Sequence, residues 1–221
     1  MKQYSVRHIR FVRGDSMIEM LVAISIVAVS LVGILSLVGR SFALNRLTTE
    51  QYVATYLAAE GMELVKNLFD HSYLLEVQNV GGVSNRFYGW TGAGSIAPSG
   101  SYGLYYLDYS DTTLISVPGG CAITLPPTEA TVANLFQTCG SAQLPYLNFA
   151  PPPAGAGYQY TSGTPTKFRR VIIIDEPTEG NPDDPTLPTI DYRITSAVGW
   201  ESRGGEFVVQ LQDHFLPWRI P

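Results

Sequence analysis

Gly14-Asp15-Ser16-Met17-Ile18-Glu19 leads straight into residues 20–39, MLVAISIVAVSLVGILSLVG, which carry no charge. About twenty uncharged, mostly apolar residues are enough to cross a bilayer as a helix. Glu19 stands alone at the head of that run. A carboxylate at such a depth is costly and asks for a partner. Before it, residues 1–14 hold Lys2, Arg7, Arg10 and Arg13 and no acid. That basic stretch belongs on the cytoplasmic side of a membrane. An ordinary secretory signal is cut behind its apolar core, beside small residues. Here the small residue at the basic-to-apolar junction is Gly14, ahead of the core.

Basic leader, Gly, short polar step, Glu and apolar helix, in that order, resemble the prepilin signal of type IV pilins and of the pseudopilins of type II secretion and competence systems. The resemblance implies cleavage by prepilin peptidase between Gly14 and Asp15, with the apolar helix kept on the mature chain. It implies that Glu19 pairs with a freed α-amine, its own at Asp15 or a neighbour's, during subunit assembly. Residues 15 and 19 lie about one helical turn apart, so both pairings are open. The family usually has Phe after the Gly, and that residue is N-methylated. This chain departs from the pattern with Asp15, which would then carry the methyl group. The implied partners are the peptidase, other pilin or pseudopilin subunits, an inner-membrane assembly platform and lipid. The implied location is a single-pass inner-membrane protein, leader cytoplasmic and head extracytoplasmic, that later enters a pilus or pseudopilus. Ala23, Ser25, Ala28, Ser30 and Gly33 would let helices approach closely.

The apolar pattern outlasts the uncharged run, which ends at Arg40 and Arg46. Val53/Ala54, Leu57/Ala58, Gly61, Leu64/Val65 and Leu68/Phe69 recur at three- and four-residue spacing. Glu50, Glu60, Glu63 and Lys66 fall largely outside that stripe. One helix is therefore expected from about 16 to about 70. Its second half is amphipathic and should lay one face on a sheet. Residues 56–68, YLAAEGMELVKNL, also resemble minor pilins and pseudopilins of the I/V type. The organisation expected is leader 1–14, transmembrane and assembly helix 15–40, amphipathic half 41–72 and β-rich head 73–221.

The head is acidic and sparsely charged. The formal charge of the 221-residue chain is −5, but the leader takes four of its fourteen basic residues, leaving ten against nineteen acids, or −9. Such a balance argues against direct nucleic-acid binding in bulk, although Lys167, Arg169 and Arg170 sit together and could make a local basic patch. Few charges and much Gly, Pro, Ser, Thr and Tyr fit an extracytoplasmic, loop-rich β domain. Residues 71–100 read as loop. Residues 101–110 are β-prone, with 112–117 as their partner. Residues 118–163 read as irregular, with a short helix at about 128–137. Strands are expected at 168–176, 189–200 and 206–213, the last two as a hairpin presenting Ile190, Tyr192 and Ile194 on one face, then Phe207, Val209 and Leu211. The fold class is α+β, a pilin fold: a long N-terminal helix packed on a C-terminal antiparallel sheet with long variable loops.

Chemistry-bearing constellations are few. Cys121 and Cys139 fit one disulfide in an oxidising compartment, or two free thiols. His8, His71 and His214 show no metal-ligand spacing, and no nucleophile elbow or phosphate-cradling glycine loop is present, so neither a cofactor nor an enzymatic activity is expected. Glu179, Asp183 and Asp184 could face Ca²⁺, but they do not follow the EF-hand pattern, and a solvated Pro-stiffened turn explains them as well. Tyr102, Tyr105, Tyr106 and Tyr109 read as sheet residues or as an adhesive surface. The function expected is that of a minor pilin or pseudopilin. The rival is a monomeric, signal-anchored extracytoplasmic adhesion or binding domain.

Overall fold

The computed structural model describes residues 15–77, 102–109, 111, 114–119, 121–124, 126–151, 157–175, 192–202 and 205–215, with helix side chains from 17 to 71. The chain divides into two units, 1–48 and 49–221.

The first unit is helical from its first described residue. Helix α1 spans Asp15–Val77 and so continues into the second unit. It runs several residues beyond the expected end near 70. Residues 71–77 (HSYLLEV) contain neither Gly nor Pro, so nothing in them stops a helix.

In the second unit, the helix from Thr49 onward lies on an antiparallel sheet. The strands are β1 Gly103–Tyr106, β2 Ile115–Ser116, β3 Tyr146–Ala150, β4 Gly157–Gln159, β5 Thr164–Asp175, β6 Tyr192–Ser202 and β7 Gly205–Phe215. β5 is the axis. One edge of β5 pairs with β6, which pairs with β7. Its other edge is shared: the C-terminal half takes β1, followed by β2, and the N-terminal half takes β3, followed by β4. Gly163, at a φ of +111°, turns the chain into β5, where a side chain would strike the Phe149 backbone.

A strand covered on both faces needs apolar residues at successive positions. The run Val171–Ile172–Ile173–Ile174 in β5 meets that need, and all four are fully buried. Ile172 and Ile174 join Met62, Val65 and Leu68 of α1. Val171 and Ile173 join Val132, Leu135 and Phe136 of the second helix, α2, Glu129–Thr138. A third cluster, Ala54, Leu57, Ala58, Leu147, Phe168, Val198 and Trp200, continues the α1 face. Burial of each such aliphatic side chain contributes about 1.5–3 kcal/mol. The architecture is therefore α+β, with a long apolar N-terminal helix and a C-terminal antiparallel sheet.

α2 lies where a short helix is expected, and both of its ends are pinned. Thr128 caps the start: its Oγ1 accepts from the Thr131 N–H at 3.3 Å, and Thr131 Oγ1 accepts from the Thr128 N–H at 2.8 Å. At the far end Cys139 is bonded to Cys121, with Cα atoms 5.6 Å apart.

The region 118–163 corrects the expectation of irregular chain. Besides α2 it contributes β3 and β4. Both strands are short, and they owe their existence to pairing with β5 and with each other, which local composition does not report. β1 and β2 are also shorter than the stretches 101–110 and 112–117, while β5, β6 and β7 match the three strands expected near the C-terminus.

Candidate functional site

The first unit presents apolar side chains to its surroundings along its whole described length. Met17, Leu21, Ile24, Leu31, Leu35 and Val38 are all exposed, and nothing in this run is buried. The helix is long and apolar enough to cross a membrane. Two of its hydroxyls bond back into the helix. Ser25 Oγ donates to the Leu21 carbonyl at 2.7 Å, and Ser30 Oγ to the Ile26 carbonyl at 2.8 Å. Each hydroxyl is thereby satisfied within its own helix, which removes its penalty in hydrocarbon. Glu19 is exposed, one turn after Asp15, and among the described residues no group of this chain pairs with it. An uncompensated carboxylate is costly in an apolar surrounding.

The glycines of α1 fall into two kinds. A Cβ on Gly33 or Gly39 would meet nothing within 4 Å, whereas a Cβ on Gly61 would meet Ser196, Arg170 and Ile172. Packing within the head accounts for Gly61. Among the described residues nothing packs closely against Gly33 or Gly39.

Lys167, Arg169 and Arg170 do not make the basic patch that their adjacency allowed. Successive strand residues point to opposite faces. Arg170 lies buried on the α1 side, where Nη1 donates to the Leu57 carbonyl at 3.2 Å and Nη2 to the Leu107 carbonyl at 2.9 Å, with Glu60 Oε1 at 3.6 Å. Arg169 faces α2. Its Nη2 donates to the Phe136 carbonyl at 2.7 Å and to Glu206 Oε1 at 3.0 Å, and its Nη1 to the Cys139 carbonyl at 2.9 Å. The guanidinium also stacks on the Phe136 and Tyr146 rings. Lys167 pairs with the buried Glu50 of α1. All three cations are engaged inside the head.

A cleft of about 770 Å³ opens at the β6–β7 turn end of the sheet, lined by Gln137, Tyr146, Lys167, Arg169, Glu201 and Glu206 among others. Of its charged groups, Arg169 pairs with Glu206 and Lys167 with Glu50, while Glu201 sits directly across the ladder from Glu206. Burial pushes the Glu206 carboxyl above the usual range. Arg169 pulls it back, and Glu201 adds to the rise.

The tyrosines of the β1 region divide. Tyr105 is buried beside Leu107 and Ile172, and Tyr106 packs edge-on against Tyr160 with ring centroids 5.2 Å apart. Tyr109 is exposed. Tyr105 and Tyr106 are strand residues, while Tyr102 and Tyr109 lie just outside β1. Gly14, His8 and the calcium candidates Glu179, Asp183 and Asp184 lie outside the described residues. Among the described residues no group of three or more His, Cys, Asp or Glu is placed to hold a metal ion.

Comparison with protein-family models, with curated proteins and with solved structures finds no match to this chain in any of the three.

Proposed function

We propose that this chain is a type IV pilin-like subunit, a minor pilin or pseudopilin of a pilus, type II secretion or competence-type filament. Prepilin peptidase cuts it between Gly14 and Asp15. The apolar part of α1 waits in the inner membrane, and an assembly platform lifts it into a bundle of like helices. The single observation that carries this reading is Glu19: a carboxylate one turn from Asp15 with no partner among the described residues, at the head of an apolar helix that none of the described residues covers. Cleavage would create a positive α-amine where such a carboxylate needs one. The continuation of the same helix onto an antiparallel sheet supports the reading further.

Mass spectrometry of the native protein tests it. The expected first residue is Asp15, with or without a methyl group. A mature chain starting at Met1, or beyond residue 39, overturns the proposal. Glu19→Ala should insert into the membrane normally yet enter filaments poorly, and equal incorporation of the variant would remove Glu19 from the mechanism.

A further inference from the structure

The cleft at the turn end of β6 and β7 has no part in the filament proposed above. Every residue that lines it belongs to the second unit, so it is a property of the head alone. Four parts of the fold meet there. Gln137 comes from the last turn of α2, Tyr146 from the start of β3, Lys167 and Arg169 from β5, and Glu201 and Glu206 from the β6–β7 ladder. Its volume, about 770 Å³, is that of a small-molecule site rather than of a packing defect.

Part of the lining is placed before any ligand arrives. Arg169 is fixed by the Phe136 and Cys139 carbonyls and by Glu206, and its guanidinium lies over the Tyr146 ring, 5.6 Å from the centroid. Tyr146 is thus held from one side, yet it stays 42% exposed. An aromatic ring ordered in advance costs little entropy to bind against. Gln137 sits on a helix end tied down by the Cys121–Cys139 disulfide, and its amide has no partner among the described residues. The exposed Glu201 carboxylate likewise makes no hydrogen bond or ion pair among them.

Which ligand fits follows from which groups are already engaged. An anion meets no free cation among the described lining residues, since Arg169 serves Glu206 and Lys167 serves Glu50, and Glu201 repels it. A cation meets Glu201, but Arg169 and Lys167 stand in the same lining and weaken the attraction. An apolar ligand meets one aromatic ring and Pro165 in a lining that is mostly polar. A neutral ligand rich in hydroxyls remains, provided that it also has an apolar face for the ring. A pyranose has both: hydroxyls around its rim, and C–H bonds gathered on one face. We propose that this cleft binds a neutral oligosaccharide, with one pyranose ring stacked on Tyr146 and its hydroxyls bonded to the Gln137 amide and the Glu201 carboxylate. Ser202 offers a further hydroxyl. Binding does not depend on whether the chain is cut at Gly14, so this reading and the filament reading stand separately.

The test uses the full chain in micelles of a zwitterionic detergent that has no sugar head group. The probes are maltotriose, cellotriose and tri-N-acetylchitotriose, each at up to about 10 mM. Saturation transfer from the protein, read by NMR, should reach the C–H protons on one ring face of at least one of them. Tyr146→Ala and Gln137→Ala should each weaken that binding about three- to tenfold. Tyr146→Phe keeps the ring and should hold the affinity within about twofold. Gln137→Ala, at an exposed position, carries the test should Tyr146→Ala fail to fold. Because the ligand is neutral, about 0.5 M NaCl should change the affinity less than about twofold. No transfer to any of the three sugars overturns the proposal. So does binding that both alanine variants leave intact, which lies elsewhere on the chain. A capped Ser-Ser-Ser or Lys-Lys-Lys peptide that binds in the sugars' place also overturns it, and assigns the cleft to a polypeptide.

Discussion

Gly61 of α1 lies so close to Ser196 of β6 that a Cβ at 61 would come within 2.5 Å of the Ser196 hydroxyl oxygen. Arg170 Cδ at 2.9 Å and Ile172 Cδ1 at 3.2 Å close the other sides. This glycine sets how near the helix can approach the centre of the sheet. Ala favours helix over Gly by about 1 kcal/mol, but overpacking costs about 1–3 kcal/mol. Gly61→Ala should therefore lose up to about 2 kcal/mol of head stability, read from denaturant unfolding with tryptophan fluorescence as probe. Ser196 Oγ is buried and has no hydrogen-bond partner among the described residues. Ser196→Ala should be neutral or stabilising, and in the double variant it should recover part of the Gly61→Ala loss. Simple additivity of the two would show that they do not meet.

Arg170 fastens the same junction with hydrogen bonds. It is 1% exposed, and one guanidinium serves carbonyls from two segments, Leu57 of α1 and Leu107 after β1. A planar fork can do this, while a single ammonium on a shorter reach cannot hold both. Arg170→Lys should lose about 1–3 kcal/mol. Arg170→Met should lose about 3–5 kcal/mol, because the Leu107 carbonyl is left buried without a donor and Glu60 loses its cation. Equal stability of the Lys variant would mean that the fork is not needed. Urea unfolding of the three chains decides it.

The sheet-packed helix was legible because its stripe, Ala54, Leu57, Ala58, Gly61 and Val65, repeats at helical spacing over many turns. The run Val171–Ile174 was legible as a strand because four consecutive β-branched residues suit little else, and Glu19 stood out against the uncharged run behind it. β3 and β4 were not legible, since β3 is placed by β5, and β4 by β3, rather than by neighbours in sequence. Nor could adjacency show that Arg169 and Arg170 serve opposite faces until the strand around them was known.

Tyr160 gives the head a dependence on alkaline pH. Its hydroxyl donates to the Arg170 carbonyl at 3.1 Å, and burial pushes the phenol up to about 12, with Arg170 opposing the rise. A folded-state value above that of the unfolded chain means that the folded state holds its proton longer. The stabilising contribution is complete below about pH 10 and is lost as pH rises toward about 12. Unfolding free energy should fall by up to about 2 kcal/mol across that window through this group. Tyr160→Phe should lose about 1 kcal/mol at neutral pH and show a flatter alkaline limb. Identical limbs for the two chains would place the titration elsewhere.

Arg169 and Glu206 form an ion pair whose two halves should prove very unequal. Arg169 closes the last turn of α2, donating to the Phe136 and Cys139 carbonyls, the second of which belongs to the disulfide-bonded cysteine. Those carbonyls are helix-end acceptors with no partner inside the helix, and a cation there also suits the helix dipole. Glu206, by contrast, is held above the usual carboxylate range mainly by burial, so its charge is less welcome here than in water despite Arg169. Its contribution runs in the unfavourable direction as pH rises through the carboxylate range, because the unfolded chain ionises first. Glu206→Gln should change stability at neutral pH by less than about 1 kcal/mol and should flatten the pH dependence across the carboxylate range. Arg169→Ala should lose about 2–4 kcal/mol, and the loss should persist at pH 4, where Glu206 carries less charge. If the two variants were equally destabilised at neutral pH, with the Arg169→Ala loss vanishing in acid, the ion pair rather than the helix end would be holding α2 to the sheet.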